Sequence, residues 1–157
     1  MTRWTRSLLW LTLLNVVAWG VGRILSRQLS EGDADADEFS IATIFGGTTR
    51  RSLAPSLRRG RLLACCGGVD LDLRGAGVDP EGAVLYIRAT MGGVQVTVPR
   101  DWRVTVAADT RAGGVDTHVA EADALPEGAP SLHVDVVARM GGVLITSGDE
   151  PDGPAAT

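Results

Sequence analysis

Five Gly-Gly pairs punctuate this chain: Gly46-Gly47, Gly67-Gly68, Gly92-Gly93, Gly113-Gly114 and Gly141-Gly142. They begin 21, 25, 21 and 28 residues apart. A recurrence in the range of about 20–50 residues is the mark of a repeat architecture. Paired glycines at a fixed place in each repeat imply a backbone bend, because a residue without Cβ reaches φ/ψ values closed to others.

The flanks of the pairs recur as well. Leu85, Ile87, Ala89 and Met91 alternate with Tyr86, Arg88 and Thr90 before one pair, and Val94, Val96 and Val98 alternate with Gln95 and Thr97 after it. Leu132, Val134, Val136, Ala138 and Met140 repeat the first pattern; Val69, Leu71 and Leu73, interleaved with Asp70, Asp72 and Arg74, repeat the second. Period-two alternation rich in β-branched residues reads as half-buried strands. Met91 and Val94 both fall in the inward set although three positions apart, so strand alternation breaks at the glycines. This phase predicts two buried lanes: Phe45, Cys66, Met91, Ala112 and Met140 before the pairs, and Thr48, Val69, Val94, Val115 and Val143 after them.

Two architectures explain the bends. In a β-solenoid, Gly-Gly turns a corner and like positions stack from coil to coil. In a set of hairpins, Gly-Gly is a two-residue turn. Recurrence of the whole unit favours the first. The expected fold is therefore all-β, a β-solenoid or β-helix-like repeat domain over residues 39–147, followed by a polar, disordered tail over 148–157.

A different composition precedes the repeats. Residues 7–22 carry no charge, with Arg3 and Arg6 before them and Arg23 and Arg27 after. Extended to Ser26, the run is long enough to cross roughly 30 Å of hydrocarbon as a helix. Trp4 and Trp19 suit the membrane interfaces. A cleaved signal peptide is the rival reading, but VAWGVGR offers Trp and Arg where a cleavage site needs small residues. Residues 1–30 are thus expected to be a single-pass transmembrane anchor in the lipid bilayer, and 31–38, EGDADADE, an acidic linker. Balanced arginines leave orientation undecided.

Net charge is −4, and no basic face marks a nucleic-acid binder. The main basic cluster is Arg50, Arg51, Arg58, Arg59 and Arg61. Cys65 and Cys66 are adjacent, so on a regular strand their side chains point to opposite faces and do not share a metal. Their free thiols suit a reducing compartment. Asp116-x-His118 and His133-x-Asp135 each put a carboxylate beside an imidazole, but no third ligand completes either. The glycine pairs precede strands and lack the phosphate-loop pattern. No catalytic set, cofactor site or metal site is expected, and the chain reads as a non-enzyme. The strand faces bearing Asp70, Asp72 and Arg74, or Gln95 and Thr97, are the candidate partner-contact surfaces.

The runs IATIFGGTTRR, RLLACCGGVDLDLRGA and YIRATMGGVQVTVPRDWRVTV resemble the C-terminal domain of LiaF-like proteins of the response to cell-wall-active antibiotics. That family repeats an apolar strand, Gly-Gly and a Val-rich strand. It carries an acid-Leu-Arg-x-Ala stretch, here Asp72 to Ala76, and a V-x-V-P-x-x-W/V-x-V stretch, here Val96 to Val104. The resemblance implies a cytoplasmic domain that restrains an envelope-stress sensor histidine kinase. The expectation is a membrane-anchored regulator of cell-envelope stress signalling. The alternative is a structural or adhesin-like module that self-associates.

Overall fold

The computed structural model describes residues 35–149. The predicted anchor over 1–30 lies outside the described residues, as does the tail beyond Asp149. Among the described residues, no helix is long and apolar enough to cross a membrane.

The described chain is all-β. Its strands are β1 (Glu38–Arg51), β2 (Arg59–Asp72), β3 (Ala83–Ala89), β4 (Gly93–Pro99), β5 (Arg103–His118) and β6 (Ser131–Gly148), with one 3-10 turn at Ala122–Ala124. Every strand pairing is parallel. Hairpins require antiparallel neighbours, so Gly-Gly is not a hairpin turn. In β1, β2, β5 and β6 the strand continues without interruption through its glycine pair.

Like positions stand side by side. Gly46 pairs with Gly67, Gly68 with Gly93, Gly93 with Gly142, and Gly142 with Gly114. The order of layers is not the order of the chain. It runs β1, β2, then β3 with β4, then β6, and β5 last. A solenoid wound in sequence would set β5 against β4. Here β6 takes that place, after residues 119–130 carry the chain past β5. Side chains explain the exchange. Leu132, Val134, Val136, Val143 and Ile145 of β6 are all buried. β5 offers Val104, Val106 and Val115, which are only partly covered, and suits an outer layer.

The pairings also close on themselves. β2 and β6 each pair with both β3 and β4, making a small closed, barrel-like ring in place of the expected open solenoid. Closure follows from the bend: β3 holds the first half of the two long strands and β4 the second. Apolar side chains of both halves and of the links share one core, including Leu62, Leu85, Leu71, Val96, Leu57 and Trp102. Gly60 makes room inside it, since a Cβ there would lie 2.6 Å from Leu85 Cδ1 and 2.7 Å from the Phe39 ring.

The links are stitched by polar groups. Asp79, on the β2–β3 link, accepts hydrogen bonds from Arg58 Nε at 2.8 Å, Ser56 Oγ at 3.0 Å and the Glu81 backbone N–H at 3.0 Å. The Glu81 N–H and then Arg58 hold its carboxyl below the usual carboxylate range. Gly82, at φ 94°, closes the same turn by donating to the Asp79 carbonyl.

One buried lane differs from expectation. Val69, Val94 and Val143, after the glycines, are buried, but Phe45, Met91 and Met140, before them, are 47, 52 and 58% exposed. The last inward residues before each corner are Ala64, Ala89 and Ala138, all fully buried. Beyond them the corner is filled by backbone. A Cβ on Gly67, Gly92, Gly141 or Gly113 would fall on the carbonyl oxygen of the neighbouring strand's glycine. With the interior closed by peptide groups, the side chain at the corner turns to solvent.

Candidate binding surface

The two glycines of each pair play different parts. The first, in every pair but Gly46-Gly47, meets neighbouring backbone as just described, whereas Gly46 has nothing within 4 Å of an added Cβ. The second, at Gly47, Gly114 and Gly142, has nothing within 4 Å of an added Cβ; at Gly68 and Gly93 only a carbonyl oxygen lies 3.9 and 4.0 Å away. The second glycines thus form the floor of an open groove of about 620 Å³ that crosses all the layers. On one side of the floor stand Thr49, Asp70, Gln95, Leu144 and Asp116, in register from β1 to β5. The exposed lane of Phe45, Met91 and Met140 leads into the glycines from the other direction along the strands.

The candidate contact residues divide here. Asp70 and Gln95 are register neighbours, both exposed and both lining the groove. Asp72 and Thr97 are the next outward pair. Asp72 is engaged within the fold: Arg74 donates through Nε at 2.9 Å and through its terminal nitrogen at 2.8 Å, one bond to each carboxylate oxygen. The Arg74 backbone N–H adds a third bond at 3.0 Å. Arg74 is the main reason the Asp72 carboxyl lies below its ordinary range. Arg74 also donates to the Asp149 carbonyl at 3.2 Å, tying the β2 exit to the end of β6. The acid-Leu-Arg stretch is therefore a structural clasp in this chain, a role that bidentate arginine–carboxylate geometry suits.

Charges noted in the sequence are mostly partnered. Arg58 pairs with Asp79, and Arg59 and Arg51 lie 3.9 and 4.0 Å from Glu38 and Asp72. His133 Nε2 lies 3.3 Å from Asp135, at the surface. His118 ends β5 and His133 opens β6, at opposite ends of two parallel, register-matched strands. Among the described residues no three His, Cys, Asp or Glu side chains gather to hold a metal ion.

Sequence reasoning missed the groove and the closeness of the two cysteines. Both thiols are partly exposed, and their Sγ atoms lie 3.9 Å apart. The ladder to β1 passes from Ala64 to Cys66 without pairing Cys65, so the strand bends there and regular alternation does not apply.

The model of the family described as cell wall-active antibiotics response LiaF, C-terminal, matches residues 44–127. The chain belongs to the LiaF-like family. Its match runs from the first glycine pair to the link before β6, so the LiaF-like region and β6 together build the closed ring. Membership places the chain in the response to cell-wall-active antibiotics, in a regulatory family. Comparison with curated proteins and with solved structures returned no match.

Proposed function

We propose that this LiaF-like chain is a non-enzymatic regulator of the cell-envelope stress response, anchored in the membrane by residues 7–26. Its β-domain is proposed to face the cytoplasm and to bind a membrane signalling partner, a sensor histidine kinase being the candidate. The observation that carries this reading is the glycine-floored groove. Nothing in the fold demands glycine at its second positions, yet all five pairs keep the space above them open. An open, shallow channel flanked by Asp70 and Gln95 suits an extended segment of another protein. Tethering would raise the local concentration of both partners, so that a weak contact is occupied. To regulate, the contact must prefer one state of the sensor, because equal affinity for two states shifts neither.

A photo-crosslinking residue at Gln95 in the intact chain tests this in membranes. A crosslink to a sensor kinase at position 95, and none from a control at Arg88, is expected. Equal crosslinking from both positions, or none to any membrane sensor, would refute the groove as the contact.

One observation favours a second reading, self-association. Among the described residues β5 pairs only with β6, and its apolar Val104, Val106 and Val115 are incompletely covered. Such an edge can accept a further strand. Sedimentation of the detergent-solubilised chain distinguishes the readings: a dimer dispersed by Val106→Glu supports association through β5.

A further inference from the structure

We propose that Cys65, Cys66 and the thioether of Met91 form a binding site for a soft monovalent metal ion, Cu(I). The two thiols are free and partly exposed, and their sulfurs stand 3.9 Å apart. Two thiolates held about 2.3 Å from one ion, at an angle of roughly 110–120°, stand roughly 3.8–4.0 Å apart. The pair thus has the spacing of two ligands of one ion, whereas a disulfide would bring the sulfurs to about 2.05 Å.

Met91 supplies the third sulfur. Its backbone N–H donates to the Cys65 carbonyl at 2.7 Å, and Gly92 stacks on Gly67, so Met91 stands beside Cys66 in the corner lane. Its side chain is 52% exposed, more than filling the core would require. The outward turn of the lane at the glycine corner therefore puts Met91 on the layer next to the cysteine pair, at an exposed position from which its thioether can reach an ion held by the thiols.

The ligand type decides the metal. Thiolate with thioether is a soft set that selects Cu(I). Zinc ordinarily takes four N, O or S ligands in a tetrahedron, and no third Cys, His, Asp or Glu converges here among the described residues. On binding, each thiol gives its proton to solvent as its sulfur bonds the ion; copper enters and stays as Cu(I), so no oxidant or reductant is consumed. Cys66 holds its proton above the ordinary thiol range, chiefly through its hydrogen bond with Cys65.

The test is competition for Cu(I) between a chromophoric Cu(I) chelator and the reduced, full-length chain in detergent, without oxygen. The chain should withdraw one Cu(I) per molecule, and the Cys65→Ser/Cys66→Ser double variant should withdraw none. Met91→Leu, at an exposed position and of similar size, should weaken binding by more than about tenfold, since even outer partners of a metal site are worth that much. X-ray absorption of the copper-loaded chain should show sulfur neighbours only. Circular dichroism of the variants should match the parent. Equal withdrawal by the parent and the double variant would overturn the site, as would half a copper per chain in a copper-bridged dimer. Unchanged affinity in Met91→Leu would remove Met91 from it.

Discussion

Gly92 lies so close to the carbonyl of Gly67 that a Cβ on Gly92 would overlap the Gly67 oxygen. The same relation links Gly67 to Gly46 and Gly141 to Gly92, so the corner of the domain is a column of backbone contacts. One position further on, the glycines of the second column meet open space. Gly92→Ala should therefore destabilise the domain by about 3 kcal/mol, toward the upper end for single substitutions. Gly93→Ala should stay within about 0.5 kcal/mol of the parent, as for an unconstrained surface site. Urea denaturation of the two variants checks the contrast; equal losses would show that the two columns are not distinct.

Ala89 and Met91 provide a second contrast on one strand path. Ala89 is fully buried and Met91 half exposed. Ala89→Asp should unfold the domain, because a carboxylate would enter the core without a partner. Met91→Asp should fold with an unchanged far-ultraviolet dichroism spectrum. Loss of structure in Met91→Asp would restore the buried lane that the strand pattern alone suggests.

That pattern shows how far the sequence could be read. Period-two alternation located the strands and assigned Leu85, Ile87, Val94 and Val96 to the core, where they lie. It could not follow the chain around a corner. Alternation assigns faces only while a strand is straight, so it puts Phe45, Met91 and Met140 on an inner face that the bend overrides. Layer order was hidden for another reason: each repeat looks alike, and only the weaker apolar content of β5 hints that it belongs on the outside. The contact candidates Asp70 and Gln95 were legible as outward residues. The groove beside them was not, because it is made by absent side chains.

Asp72 and Asp79 set the response to acid. Arg74 lowers one carboxyl, and the Glu81 N–H with Arg58 lowers the other. A carboxyl with a depressed folded pKa adds stability above its unfolded value, about 3.9. That stability is lost as pH falls through the lower, folded value. Urea midpoints should therefore hold steady near neutrality and drop below about pH 4. Asp79→Asn should lower the midpoint at neutral pH and leave a shallower acid limb. An acid limb identical to the parent's would show that Asp79 contributes nothing to it.

β6 lies between β3 with β4 on one side and β5 on the other, and β5 has β6 as its only strand neighbour among the described residues. Amide hydrogen exchange should reflect this, because protection follows how fully an element is packed. β6 should exchange most slowly and β5 much faster, although β5 precedes β6 in the chain. Slow exchange in β5 with fast exchange in β6 would contradict the layer order.

The central claim is that the chain regulates the envelope-stress response through a contact with a membrane sensor. Its most direct test is an envelope-stress reporter in cells lacking the gene, with and without a cell-wall-active antibiotic. Reporter output should change on deletion in at least one condition and return with the intact chain. Gly93→Val, which fills the groove without touching the glycine corner, should fail to restore it while folding normally. Reporter output unaltered by deletion in both conditions would contradict the claim.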